Sequence, residues 1–150
     1  MVLNLEEAIK RITFEYLKTG CEGYQTLLRY INGDMKGNLW LCDTKISYLP
    51  EGLKVGGTLN LTDTPITSLP NGLVVGGNLY LNNTPITSLP EEIVIDGNLY
   101  LYNTPITSLP KGLVVHGRIN LCKTPISTKY TEEQLKEMLP NIKGDIIINN

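Results

Sequence analysis

Along the middle of the chain, apolar and polar positions alternate in short bursts, and the bursts return every twenty residues. In VVGGNLYLNN, Val75, Gly77, Leu79 and Leu81 fall on one side of an extended chain and Gly76, Asn78, Tyr80 and Asn82 on the other. That is the period of two of a strand with one buried face. The same columns return as Val55, Gly57, Leu59 and Leu61, as Ile95, Gly97, Leu99 and Leu101, and as Val115, Gly117, Ile119 and Leu121. A fixed period of this length predicts a repeat solenoid, in which no turn buries its apolar face alone and each is completed by its neighbours. Its strands should stack in parallel, about 4.8 Å apart.

Between the bursts, TPITSLP is spelled three times, at residues 64–70, 84–90 and 104–110. The threonine column (Thr44, Thr64, Thr84, Thr104, Thr124) marks the strand end, where a hydroxyl can bond backbone groups of the turn or the next threonine. The proline after it (Pro65, Pro85, Pro105, Pro125) fixes φ and holds the threonine extended. Ile66, Ile86, Ile106 and Ile126 and the leucines Leu49, Leu69, Leu89 and Leu109 should re-enter the core, and a second proline (Pro50, Pro70, Pro90, Pro110) makes the next corner.

The pattern changes to a helical period at the ends. Leu5, Ala8, Ile9, Ile12 and Tyr16 share one face of a helix over Asn4–Lys18, opened by a capping box of Asn4 and Glu7 and closed at Gly20. A second short helix is expected at about residues 24–31 with Leu27, Leu28 and Ile31. After the last repeat, Thr131 and Gln134 form another capping box, so Glu132–Met138 is predicted helical, with Leu135, Met138 and Leu139 returning to the stack. GDIIINN then resembles GNLYLNN and should form a final strand with Ile146 and Ile148 inward and Ile147 outward. The organisation expected is a helical cap at residues 1–30, a solenoid at 31–130 and a helix-plus-strand cap at 131–150, one structural domain in all.

The run LxLxxTxITSLP, with the Gly-Leu that follows, resembles the short, twenty-residue LP-type leucine-rich repeats of secreted effectors of enteric bacteria, whose consensus reads LxLxxNxLxxLP. The resemblance covers residues 37–130. It implies a leucine-rich-repeat-like coil of about five 20-residue turns behind a helical cap; the alternative is a generic two- or three-sided β-solenoid. Two departures stand out: threonine replaces the turn asparagine, and VxG replaces the first strand leucine. Similar VGGNLYL repeats occur in bacterial and phage proteins. The effector family sometimes carries a catalytic cysteine domain after its repeats, and this sequence has no segment of that kind before Asn150.

Composition narrows the function classes. The formal net charge of −2 does not advertise nucleic acid or an anionic membrane as partner. Residues 51–110 hold one base against five acids and residues 111–150 six bases against four acids, so the middle is mildly acidic. No stretch has the roughly twenty apolar residues of a membrane span, and the start lacks the order of a secretory signal, so a cytoplasmic protein is expected. Cys21, Cys42 and Cys122 have neither disulfide nor zinc spacing. The single histidine, His116, should face outward and has no second histidine or nearby nucleophile to work with. The glycine pairs lack the following helix of a phosphate loop and the aspartate of a calcium-binding repeat. No catalytic residue, metal site or cofactor is expected.

What varies from turn to turn is the outward strand face. Its columns read Asn38, Thr58, Asn78, Asn98, Arg118; Trp40, Asn60, Tyr80, Tyr100, Asn120; and Cys42, Thr62, Asn82, Tyr102, Cys122. Tryptophan, tyrosine and arginine most often dominate binding energy at interfaces. The leading expectation is therefore a non-enzymatic protein-recognition module. Its anchors would be Trp40, Tyr80, Tyr100 and Tyr102, with Asp63, Asn78, Asn98 and Arg118 as polar rim. A phage or mobile-element inhibitor of a host protein, acting in the host cytoplasm, fits the resemblance. The alternatives are a solenoid that self-associates through its last strand at Ile146, Ile147 and Ile148, which leaves a homo-oligomer open, and a carbohydrate binder.

Overall fold

The computed structural model describes residues 2–149. It opens with two helices, α1 (Leu5–Thr19) and α2 (Glu22–Asn32). Nine short strands follow: β1 (Leu39–Trp40), β2 (Lys54–Val55), β3 (Leu59–Asn60), β4 (Val74–Val75), β5 (Leu79–Tyr80), β6 (Val94–Ile95), β7 (Leu99–Tyr100), β8 (Val114–Val115) and β9 (Ile119–Asn120). The chain ends through helices α3 (Pro125–Lys129) and α4 (Glu132–Met138) and strand β10 (Ile146–Ile147).

The strands form two parallel ladders, one of six in the order β1-β3-β5-β7-β9-β10 and one of four in the order β2-β4-β6-β8. Partners lie twenty residues apart throughout the repeats, as in Leu59 opposite Leu79 opposite Leu99. This is a β-solenoid. Four complete turns carry both strands, and a partial turn at each end carries β1 or β10.

One expectation changes here. The run from Val75 to Leu81 is not a single strand; it bends at the glycine pair, giving β4 on one side of the coil and β5 on another. The second glycine of each pair sits at the corner because coils come closest there, whereas the first position accepts Asp96 and His116 in later coils. A Cβ on Gly77 would lie 2.8 Å from backbone atoms of Gly57 and Thr58. Val75, Leu79 and Leu81 stay fully buried on either side of the bend.

The TPITSLP segment forms a third run without ladder pairing. Ile66, Ile86 and Ile106 are fully buried, as is the leucine or isoleucine after the next corner, Leu53, Leu73, Ile93 and Leu113. Thr64, Thr84, Thr104 and Thr124 are buried too, and each hydroxyl donates to the carbonyl three residues back, for example Thr84 Oγ1 to Leu81 O at 2.7 Å. A buried hydroxyl without such a partner would be costly. Thr84→Val keeps the volume and removes the bond. Its expected effect is a loss of about 1 kcal/mol, read as a lower denaturation midpoint at unchanged slope.

At the N-terminal end, Asn4 caps α1 by accepting from the Glu7 amide at 3.2 Å, and Gly20 closes it in the left-handed region. Ala8 and Ile12 are buried, but Leu5 is exposed at the mouth of a shallow apolar cavity shared with Leu3, Met35 and Gly52. Helix α2 begins at Glu22, two residues ahead of the expected start, and buries Tyr24 as well as Leu27 and Ile31. The Tyr24 hydroxyl accepts from the Ser47 amide at 3.2 Å, tying the cap to the first coil. Tyr30 ties it to the second: its hydroxyl donates to Met35 O at 2.6 Å and accepts from Gly56 N at 3.1 Å. Burial holds that phenol above its ordinary pKa.

At the other end, α4 has the full Thr131–Gln134 capping box. Leu135 and Leu139 are buried as expected; Met138 is not, since it falls on the solvent face of the helix. Strand β10 pairs with β9, Ile146 opposite Ile119. Ile146 is buried, whereas Ile147 and Ile148 are half-buried, so Ile148 enters the core only in part. Among the described residues no helix is long and apolar enough to cross a membrane.

Candidate partner-binding face

The outer face of the six-stranded ladder is built from the second residue of each strand, since the first (Leu39, Leu59, Leu79, Leu99, Ile119) is spent on the core. Strand register fixes the order of the central column as Trp40, Asn60, Tyr80, Tyr100, Asn120, Ile147. Trp40 is 54% exposed. Tyr80 and Tyr100 are half-buried and stacked, with centroids 4.5 Å apart and ring planes 3° from parallel. The spacing of the rings is the spacing of the strands, so the ring planes lie across the solenoid axis.

The column before it is largely committed to holding coils together. The side-chain oxygen of Asn78 accepts from the Asn98 amide at 2.8 Å, and that of Asn98 accepts from the Arg118 amide at 2.7 Å. Asn38 does the same for Thr58 at 2.8 Å. These bonds join successive turns just past the corner, where the two ladders part. The amide nitrogens of Asn78 and Asn98 lie 3.5 and 3.3 Å from the phenol oxygens of Tyr80 and Tyr100, long contacts along the same strands. The Arg118 side chain reaches Asp145 at 3.6 Å, both exposed.

After the strands the chain turns through a left-handed residue: Asp43, Asp63, Asn83, Asn103 and Lys123 have φ between 55 and 59°. Short polar side chains tolerate that region best, which is why aspartate and asparagine fill four of the five positions. Their side chains make a second ladder, Asn83 Nδ2 to Asp63 Oδ1 and Asn103 Nδ2 to Asn83 Oδ1, each at 3.0 Å. The repeated Asp/Asn after each strand was the sequence signal for this turn. Tyr102 lies in the same turn, with the Lys123 ammonium 5.0 Å from its ring centroid, and stands apart from the Tyr80–Tyr100 stack.

The titratable side chains with chemical potential are scattered. His116 is on the surface at the corner, its Nδ1 3.1 Å from Asp96 Oδ1. The three cysteines are free; Cys122 is buried and its thiol donates to Asn149 O at 2.9 Å. Among the described residues no group of three or more His, Cys, Asp or Glu could hold a metal ion.

Fold and face together define a parallel β-solenoid repeat protein with an aromatic strip on one ladder. No protein-family model matches the chain, and neither a curated protein nor a solved structure matches it.

Proposed function

We propose that the protein is a non-enzymatic recognition module that binds a partner protein through the outer face of its six-stranded ladder. Trp40, Tyr80 and Tyr100 are its main anchors, Tyr102 flanks them, and Asp63 and Arg118 are exposed polar contacts. The carrying observation is the Tyr80–Tyr100 stack, 4.5 Å between centroids, on the same ladder as an exposed Trp40. Rigid aromatics lose little freedom on binding and fill partner pockets well. The dispersal of His116 and the cysteines supports the non-enzymatic part of the reading. The resemblance to bacterial LP-type repeats extends the proposal to a bacterial or phage chain whose partner is a host protein.

Capture of partners from bacterial lysate by the wild type and by Tyr80→Ala/Tyr100→Ala tests this. Loss of a specific catch by a factor of about 100 in the double variant is expected if two hot-spot side chains go. An identical catch from both, with the double variant folded, removes the face from the proposal.

A second reading is favoured by one observation. Strand β10 has β9 on one side and, among the described residues, no strand on the other, with Ile147 half-exposed beside it. Open strand edges pair readily, so self-association through Ile146–Ile148 is proposed as the alternative. A mass by light scattering that stays that of one chain as concentration rises excludes it.

A further inference from the structure

Each strand of the six-stranded ladder hands backbone amides to the next turn. Leu99 and Leu101 donate to the carbonyls of Arg118 and Asn120, and Ile119 and Leu121 to those of Asp145 and Ile147, at 2.8–2.9 Å. In the register of β10, Ile146 and Ile148 hold the places of Ile119 and Leu121. Among the described residues no further strand receives their amides. Carbonyls repeat in the same way. Gly97 O accepts from the Gly117 amide at 2.9 Å, and Gly144 holds the place of Gly117, so its carbonyl also points to the open side. An extended residue aims its N–H and C=O at one neighbour, which adds the Ile146 carbonyl. The open edge thus offers an acceptor at Gly144, a donor and an acceptor at Ile146, and a donor at Ile148.

That order is complementary to itself when reversed. A second β10 running antiparallel, related by a two-fold axis at Ile146, sets Ile146 against Ile146 with both bonds exchanged, and Ile148 against Gly144 on each side. The other ladder ends are taken. Helix α2 packs against β1, the Met35 carbonyl accepts from the Gly56 amide at 2.9 Å beyond β2, and Ile142 bridges Val115 beyond β8. A second copy therefore meets no open edge for head-to-tail stacking, and the association closes at two.

We infer that β10 pairs with the β10 of a second copy in a two-fold antiparallel dimer, joining two six-stranded ladders into one sheet. This rests on the open-edge alternative given above and fixes its register and its closure. Both aromatic strips then share one face. Tyr100 is on β7, two strands from β10, so its two copies stand five strand spacings apart, about 24 Å. A face doubled in this way is bivalent.

The register has a signature in charge. It places Ile147, half-buried on the outer face, directly opposite Asp145 of the second copy, once on each side of the axis. Asp145 meets Arg118 at only 3.6 Å with both exposed, so its carboxylate stays open to another neighbour.

Sedimentation of the intact chain from micromolar to millimolar concentration is expected to rise from the mass of one chain to that of two and stop there. Ile147→Glu sets carboxylates side by side at both places and should weaken the dimer about tenfold, whereas Ile147→Lys gives each Asp145 a base and should keep or tighten it. Ile148→Pro removes an outward amide that β9 does not use and should leave a single chain. Each variant is compared after its denaturation midpoint at dilution is matched to the parent. One mass at every concentration overturns the dimer and the open-edge reading together, and makes an extended segment of a different protein the remaining occupant. Growth past two chains, or equal weakening by glutamate and lysine, overturns the two-fold register while the edge reading stands.

Discussion

Gly97→Ala is expected to cost about 2–3 kcal/mol or more, while Gly37→Ala leaves stability within about 1 kcal/mol of the parent. The two glycines occupy related corners of the coil, and only their neighbours differ. A Cβ on Gly97 would stand 2.6 Å from both the carbonyl carbon and the oxygen of Gly77 and 2.5 Å from Asn78 Oδ1. None of these atoms is free to yield. Gly77 O is held by the Gly97 amide at 2.9 Å, and Asn78 Oδ1 by the Asn98 amide at 2.8 Å. Relief of one added carbon therefore means opening the contact between two turns, which also strains the bond from the Asn98 amide to Asn78 Oδ1. At Gly37 nothing lies within 4 Å of the same added carbon, since no earlier coil stacks beneath it. Denaturant titration of both variants checks the contrast. Similar midpoints for the two would mean that the corner has slack and that the glycines are not there for close approach.

That corner is also where the sequence was least informative. An alternation of apolar and polar residues reports which side of the chain is buried, and a bend that keeps the same side buried leaves the alternation intact. Val75 before the corner and Leu79 after it are both fully buried, so a single strand and two strands meeting at an angle have the same pattern. The period of twenty, by contrast, was unambiguous, because the inward columns and the threonines can be satisfied only by stacking in register. Helix α3 shows a second kind of limit. TPIST at residues 124–128 begins like TPITS, and nothing sets it apart until Lys129 and Tyr130 take the places of the leucine and proline. Without that leucine in the core and that proline at the next corner, nothing holds the run extended. Thr124 then accepts from the Ser127 amide at 3.3 Å and starts a helix with Pro125 in its first turn.

For the candidate face, exposure of Trp40 and the tyrosines followed from strand parity, but the duties of Asn78 and Asn98 did not. A polar residue on an outward position looks the same whether it waits for a partner or bonds the next turn. The bond to a backbone amide twenty residues away becomes visible only when the coils are stacked. These two residues are thus better placed to join coils than to contact a partner through their oxygens. The order Trp40, Asn60, Tyr80, Tyr100 was readable from the aligned repeats, whereas the parallel stacking of the Tyr80 and Tyr100 rings depends on how the side chains are turned.

Leu81→Ala is expected to cost about 3–5 kcal/mol and to change how the molecule unfolds as well as when. Leu81 is completely buried in the second complete turn, and its amide donates to Tyr100 O at 2.9 Å in the next. The chain around it is pinned by the proline and threonine of the turn, so the walls of the cavity have little room to collapse, which places the loss at the upper end of the usual range. In a compact domain such a loss lowers one cooperative transition. In a solenoid each turn touches only its neighbours, and a weak turn near the middle separates the helix-capped end from the end carrying α4 and β10. The turns beyond Leu81 lack the Tyr24 and Tyr30 bonds that anchor the first coils to α2. They are expected to open first, with amide exchange accelerated from about residue 80 onward while residues 39–61 stay protected. The denaturation curve should broaden, with an apparent slope below that of the parent. A single transition of unchanged slope, with exchange accelerated equally along the chain, would show that the coils unfold as one unit.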